Sequence, residues 1–309
     1  MNRRRFATAV ASSLAGSGIA SAAGTLPHRS LGKTGFNVAI LGLGSAPLGA
    51  PKITQSVVDQ VVSVLIDEGV NYFDTAPIYQ LAEERLGRAL KGKRDKVFLV
   101  SKVETTSAQD ATWQIEESLR KLQTDYLDAV HIHNVGRTDR FPSIEVLIGK
   151  DGALQALRDA KKKGTIRHIG LTSHLRPARA YPILETGDIE LVMCAANFVD
   201  VHTYNYEGTV FEEARKRGLG IVAMKVLGGA EGEGAKLSAP EHYATAVRYA
   251  LGIPGLSVAI MGMKSVGEVK QAVAAVRAYQ PLTPQEVSAL AGKGKGMARS
   301  WGPLRGPVA

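Results

Sequence analysis

Short apolar runs rich in β-branched residues alternate along the chain with longer segments in which apolar residues recur at helical spacing. The short runs predict strands at Val38–Leu43, Asn71–Thr75, Lys96–Lys102, Leu127–His133, Ile166–Thr172, Leu191–Asn197, Gly220–Val226 and Ser257–Gly262. Between them, amphipathic patterns predict helices over Val57–Glu68, Glu83–Leu90, Trp113–Leu122, Ala153–Lys163, Val210–Arg217, His242–Ala250 and Val266–Val276. Arg179–Leu184 is the weakest helical pattern because Pro182 interrupts it, while Gly69, Gly164 and Gly218 stand where helix C-termini want glycine.

Eight strand and helix pairs favour an α/β architecture closed into a (β/α)8 TIM barrel over a doubly wound sheet. No Gly-x-Gly-x-x-Gly follows the first strand, and Gly42-Leu43-Gly44 alone is a weak signal. The 309 residues, 45% of them hydrophobic, suit one barrel domain, read here as residues 25–290. Residues 291–309, rich in Gly and Lys, read as a basic, flexible tail.

The formal charge of +9 raises the question of nucleic acid, but seven of the 38 basic residues lie in the two ends without acidic neighbours. The remaining 31 face 29 acidic residues, so the body has no phosphate-binding excess and nucleic acid is not expected as a partner. Cys194 is the only cysteine, which excludes an intramolecular disulfide and a cysteine metal cluster. No metal site is expected.

Arg3-Arg4-Arg5-Phe6, the mildly apolar stretch Ala7–Ala20 and the small residues Ala20-Ser21-Ala22 follow the order of an export signal. The start resembles a twin-arginine signal, read through the export machinery that carries folded proteins, which makes residues 1–24 a leader and the mature protein periplasmic or secreted. The apolar stretch is too short for a stable membrane anchor.

In a barrel of this type, chemistry is built at the C-terminal ends of the strands. Four ionisable residues fall there: Asp74, Lys102 and His133 at the ends of strands two, three and four, and Tyr79 in the loop after strand two. Strand alternation supports an inward direction, since Phe98, Val100 and Lys102 share a face of their strand, as do His131 and His133 of theirs. A tyrosine is a poor acid on its own, and an ammonium beside it favours the phenolate. Asp74 can hold Lys102, His133 can hydrogen-bond an oxygen on which charge develops, and Tyr79 can deliver a proton. The set protonates a carbonyl oxygen but holds no hydride source, which points to a nicotinamide coenzyme.

The segments Gly69-Val-Asn-Tyr-Phe-Asp-Thr-Ala-Pro-Ile-Tyr79 and Glu83-Glu-Arg-Leu-Gly-Arg-Ala-Leu90 resemble the aldo-keto reductase signature. Arg29-Ser-Leu-Gly-Lys-Thr-Gly35, Val97–Lys102 and Tyr126-Leu-Asp-Ala-Val-His-Ile-His133 follow that family's order, so the similarity spans roughly Leu26–Val276. The resemblance implies a catalytic tetrad of Asp74, Tyr79, Lys102 and His133, with Tyr79 as general acid, an extended coenzyme across the barrel mouth and a small carbonyl substrate. It selects His133 over His131, which is then interior packing.

The resemblance also implies a set of coenzyme contacts, with departures. Thr172 and Ser173 stand where the family has Ser-Asn, and Met193 where it has Gln, against the nicotinamide carboxamide. Met224 replaces the stacking aromatic residue. Lys225, Leu227 and Gly228 fall at the pyrophosphate. Lys264, Ser265 and Lys270 fall at the start of the last barrel helix, which favours NADP over NAD. Ala272 replaces the family's Asn, and Glu268 would repel a phosphate if it pointed inward. The rival reading is a non-catalytic nucleotide- or sugar-binding barrel with a sensing or regulatory role. Substrate choice is expected in the variable loops Asn134–Asp151 and Ala230–Ala239, and the pattern leaves oligomeric state open.

Replacing both Arg3 and Arg4 with Lys is expected to leave the precursor in the cytoplasm, as measured by cell fractionation. Undiminished export would assign a different route.

Overall fold

A computed structural model describes residues 26–229, 237–299 and 301. The leader read in residues 1–24 lies outside the described residues, as does most of the loop Ala230–Ala239.

An antiparallel hairpin, β1 (His28–Ser30) and β2 (Asn37–Ala39), precedes the barrel. Eight parallel strands then close the ring: β3 (Leu41–Gly44), β4 (Tyr72–Asp74), β5 (Phe98–Val103), β6 (Leu127–Ile132), β7 (Ile166–Ser173), β8 (Leu191–Ala195), β9 (Gly220–Met224) and β10 (Val258–Gly262). They pair in chain order, and β10 closes onto β3. The protein is therefore a single-domain (β/α)8 barrel, as its periodicity predicts.

The apolar run Val38–Leu43 divides rather than forming one strand. Asn37–Ala39 pairs in the hairpin, the Ile40 amide donates to the Pro27 carbonyl, and only Leu41–Gly44 joins the barrel. The hairpin plugs the N-terminal end of the ring, since Leu31 and Val38 are buried with the barrel interior and Phe36 meets Phe98 edge-on at 5.1 Å. Its turn needs Gly32, whose φ is +55° and whose Cβ would lie 2.2 Å from the Gly220 nitrogen.

Helices α1 (Gln55–Asp67), α2 (Ala82–Ala89), α3 (Ala108–Leu122), α4 (Ile144–Ile148), α5 (Ala153–Lys163), α6 (Tyr181–Glu185), α7 (Val210–Arg217), α8 (Pro240–Leu251), α9 (Val266–Arg277) and α10 (Pro284–Ala298) complete the described architecture. Thr54 and Ser107 cap α1 and α3 by accepting the amides of Val57 and Asp110. Gly164 and Gly218 end α5 and α7 in the left-handed conformation. Pro182 does not break α6: it lies in the first turn, where its missing N–H costs nothing. None of the described helices is long and apolar enough to cross a membrane.

The expected flexible tail needs correction. Residues 291–298 continue α10, which opens with a Thr283/Glu286 capping box and buries Leu290, Gly294 and Ala298. The glycines that look like linker are needed in part for contact, because a Cβ on Gly294 would lie 1.9 Å from the Phe198 carbonyl oxygen. Trp301, beyond the helix, is 3% exposed.

One part of the core lies between sheet and helices. A second fills the ring with Tyr72, Phe98, Val100, Ala129, Leu191, Met193, Val222, Met224, Val258 and Ile260. Gly42 and Gly170 make room inside it for Tyr72 and His131, whose rings a Cβ would meet at 3.1 Å and 2.4 Å.

Gly32→Ala is expected to cost about 1–3 kcal/mol, since both φ and the contact with β9 oppose a methyl group. Denaturant unfolding at equilibrium measures this, and an unchanged midpoint would mean that the hairpin does not brace the barrel floor.

Candidate active site

Adjacent strands bring Asp74 and Lys102 together. Asp74 pairs in register with Val100, so Lys102 stands one pleat nearer the mouth on the same inward face. Its ammonium donates to Asp74 Oδ1 at 2.6 Å, to Asp74 Oδ2 at 2.7 Å and to the Thr75 carbonyl at 2.6 Å. Both side chains are 2% exposed. The ammonium also lies 4.9 Å from the centroid of the Tyr79 ring. The loop after β4 holds Tyr79 against η1 (Ala46–Gly49), a single turn of 3-10 helix, where a Cβ on Gly49 would come 1.8 Å from the Tyr79 carbonyl oxygen.

The protonation states follow from burial and from one cation. Burial raises the Tyr79 phenol, and the Lys102 ammonium pulls it back down. Burial alone would depress Lys102, but Asp74 and then Tyr79 outweigh it and hold the ammonium above the usual lysine range. Burial raises Asp74, against the opposing attraction of Lys102. His133 is pushed well below the usual histidine range by burial first and then by Lys102, so its imidazole is neutral at pH 7. The arrangement therefore offers a protonated phenol backed by a fixed cation, beside a neutral imidazole.

His133 stands one residue beyond β6, and its Nδ1 is 2.7 Å from the Thr172 hydroxyl at the end of β7. That bond fixes the ring and leaves Nε2 as the nitrogen to present to an oxygen at the mouth. The His174 ring meets it edge-on at 5.4 Å. His131 is wholly buried behind Gly170.

The expected coenzyme contacts divide into two groups. Thr172 faces inward and is engaged with His133, whereas Ser173 points to the other face of β7, where it meets the Tyr206 hydroxyl at 2.7 Å and the Leu175 carbonyl. Met193 is wholly buried in the ring interior, and Met224 lies at the edge of the same cluster, 7% exposed. Lys225 adopts φ +56°, and its carbonyl accepts the Gly228 amide at 2.7 Å, closing a tight turn. Gly228 and Gly229 continue it at φ +86° and +100°, and Leu227 is half-buried. Ser265 caps α9 by accepting the Glu268 amide, while the Glu268 carboxylate accepts the Lys264 amide at 2.9 Å and lies 3.7 Å from its ammonium. Lys270 is exposed.

Several supporting residues leave little mark in the sequence. Asn197, Asp200 and Trp301 are buried and hydrogen-bonded to one another beside Lys225. Asn197 and Asp200 share a local turn, which hints at their pairing, whereas nothing near Trp301 announces its partner. Glu104, just after β5, acts on Tyr79 through its charge, and the strand pattern alone does not show it.

Residues 40–241 match the aldo/keto reductase family, and the chain belongs to that family. It is 26% identical to L-galactose dehydrogenase of Arabidopsis thaliana over 299 residues, covering 82% of this chain and 89% of that protein. It is 28% identical to methylglyoxal reductase DkgB of Salmonella typhi over 185 residues, covering 58% of this chain and 65% of that one. An aldo-keto reductase from Bacillus halodurans, solved in its holo form, superposes with a TM-score of 0.71 at 24% identity, covering 92% of this chain and 98% of its own. The family match and the two enzyme relatives support an oxidoreductase, while the superposition supports the fold.

Lys102→Met removes what lowers the Tyr79 pKa, so the remaining phenol is a weaker acid and the alkaline limb of a pH–rate profile is expected to move upward as the rate falls. It also strands the Asp74 carboxyl in the interior, at a cost of about 3–5 kcal/mol. Steady-state pH profiles and denaturant unfolding read the two effects separately, and an unchanged alkaline limb would remove Lys102 from the acid's environment.

Proposed function

We propose that the protein reduces a small aldehyde or ketone to an alcohol with NAD(P)H. One observation carries this reading: a buried ammonium clamped by Asp74 and Thr75 directly beneath the Tyr79 phenol. The donor set fits such a coenzyme, since it offers a proton donor, a fixed cation and a neutral imidazole but no side chain able to supply two electrons. When bound, the coenzyme supplies hydride to the carbonyl carbon. Tyr79 gives its proton to the carbonyl oxygen, and Lys102 stabilises the phenolate left behind. His133, held by Thr172, donates a hydrogen bond to the oxygen as charge gathers there, and Asp74 keeps Lys102 in place. The names of the relatives, a sugar dehydrogenase and a methylglyoxal reductase, suit a carbonyl and alcohol pair.

Met224 is the candidate face for the nicotinamide, and Lys225, Leu227 and Gly228 for the pyrophosphate. Ser173 would have to share its hydroxyl with Tyr206 to reach a carboxamide. NADPH is preferred over NADH because Lys264, Ser265 and Lys270 surround the start of α9. Glu268 occupies that helix end, so a phosphate would have to displace its carboxylate from the Lys264 amide, which keeps the preference modest. The arginine-led start further suggests export to the periplasm through the twin-arginine machinery.

Titration with NADPH and NADH, followed by quenching of Trp113 and Trp301 fluorescence, tests the coenzyme. Tyr79→Phe is expected to lower carbonyl reduction by about 10²–10⁴-fold while leaving NADPH binding nearly unchanged. Unaltered turnover would sink the proposed acid, and a wild-type protein that binds neither nucleotide would leave the non-catalytic binding barrel as the better reading.

A further inference from the structure

The C-terminal segment reaches the barrel mouth through a series of buried hydrogen bonds. The Trp301 indole N–H donates to Asp200 Oδ1 at 2.8 Å, and Asn197 Nδ2 donates to Asp200 Oδ2 at 2.7 Å. The same Asn197 amide lies 3.0 Å from the Lys225 carbonyl, which also accepts the Gly228 amide. Asn197 Oδ1 accepts the amides of Val199 and Asp200, both at 2.9 Å, so this side chain is committed on both of its polar atoms. Asn197, Asp200 and Trp301 are 0%, 4% and 3% exposed, where a hydrogen bond to a carboxylate is strong and a missing partner is costly.

The helix that precedes Trp301 is equally anchored. Gly294 of α10 packs directly on the Phe198 carbonyl, and Leu290, Ala298 and Trp301 share an apolar cluster with Phe198, Val199 and Leu237. The Lys225 turn has an intrinsic reason to need such support, because a non-glycine residue at φ +56° is disfavoured and persists only when its surroundings hold it.

We propose that Asn197, Asp200 and Trp301 are positioning residues that couple the docking of α10 to the turn at Lys225–Gly229 and hold it ready for the coenzyme's pyrophosphate. This rests on the placement of the pyrophosphate proposed above. The side-chain types suit that role, since the Asp200 carboxylate accepts from the indole on one oxygen and from the Asn197 amide on the other.

Trp301→Phe keeps an aromatic ring and removes the donor, and Asp200→Asn replaces one acceptor with a second donor facing Asn197. In nucleotide-free protein, hydrogen exchange at the Gly228 amide is expected to quicken about tenfold in Trp301→Phe, and the Kd for NADPH to rise by a similar factor, with kcat at saturation unchanged. The double variant is expected to be little worse than Asp200→Asn alone, because both act on one path. A lowered melting temperature with unchanged Gly228 exchange would overturn the proposal, since it would make the contact merely structural. Quickened exchange in a protein whose wild type binds no nucleotide would overturn the coenzyme reading alone and keep the positioning role.

Discussion

A lysine ammonium sealed inside the barrel mouth organises everything around it. Removing such a cation from water costs several kcal/mol, and the cost is met only when its donors find well-placed acceptors. Lys102 finds two carboxylate oxygens and a carbonyl, all within 2.7 Å, from a strand that is its immediate parallel neighbour. The β4–β5 register is therefore a chemical requirement as well as a topological one, because a slip of one residue would turn Asp74 outward. With the pair in place, the same charge offsets part of the rise that burial imposes on the Tyr79 phenol and adds to the burial that keeps His133 neutral.

Support for this arrangement comes from the next strands around the ring. Thr172 on β7 fixes the imidazole that follows β6, and Asn197 after β8 steadies the turn that follows β9. Each of these positions at the mouth is braced by its neighbour in the barrel, which is how loops there acquire the precision that loops otherwise lack. The C-terminal helix extends this bracing beyond the ring.

The fold is legible because buried parallel strands read as short apolar runs and the helices between them keep one apolar stripe. Asp74, Tyr79, Lys102 and His133 are legible as a group for a related reason, since the end of each strand is where inward polar residues are informative. The tail misleads for a definite cause. Glycine and lysine at residues 292–296 carry the composition of a linker, and only the Phe198 backbone shows that Gly294 is there to let a helix approach. Thr172 and Ser173 can be placed at the mouth, but their hydrogen bonds to His133 and Tyr206 depend on partners more than thirty residues away.

Local pattern fixes what local physics controls: the order of strands and helices, the inward alternation that puts Lys102 and His133 at the mouth, and the signature around Asp74 and Tyr79. Tertiary structure alone decided which groups satisfy which. The bonds of Asp200 to Trp301 and of Asn197 to the Lys225 carbonyl depend on how side chains meet once the ring closes. Periodicity records whether a residue is buried, whereas hydrogen-bond partnership depends on distance and angle between segments far apart in the chain.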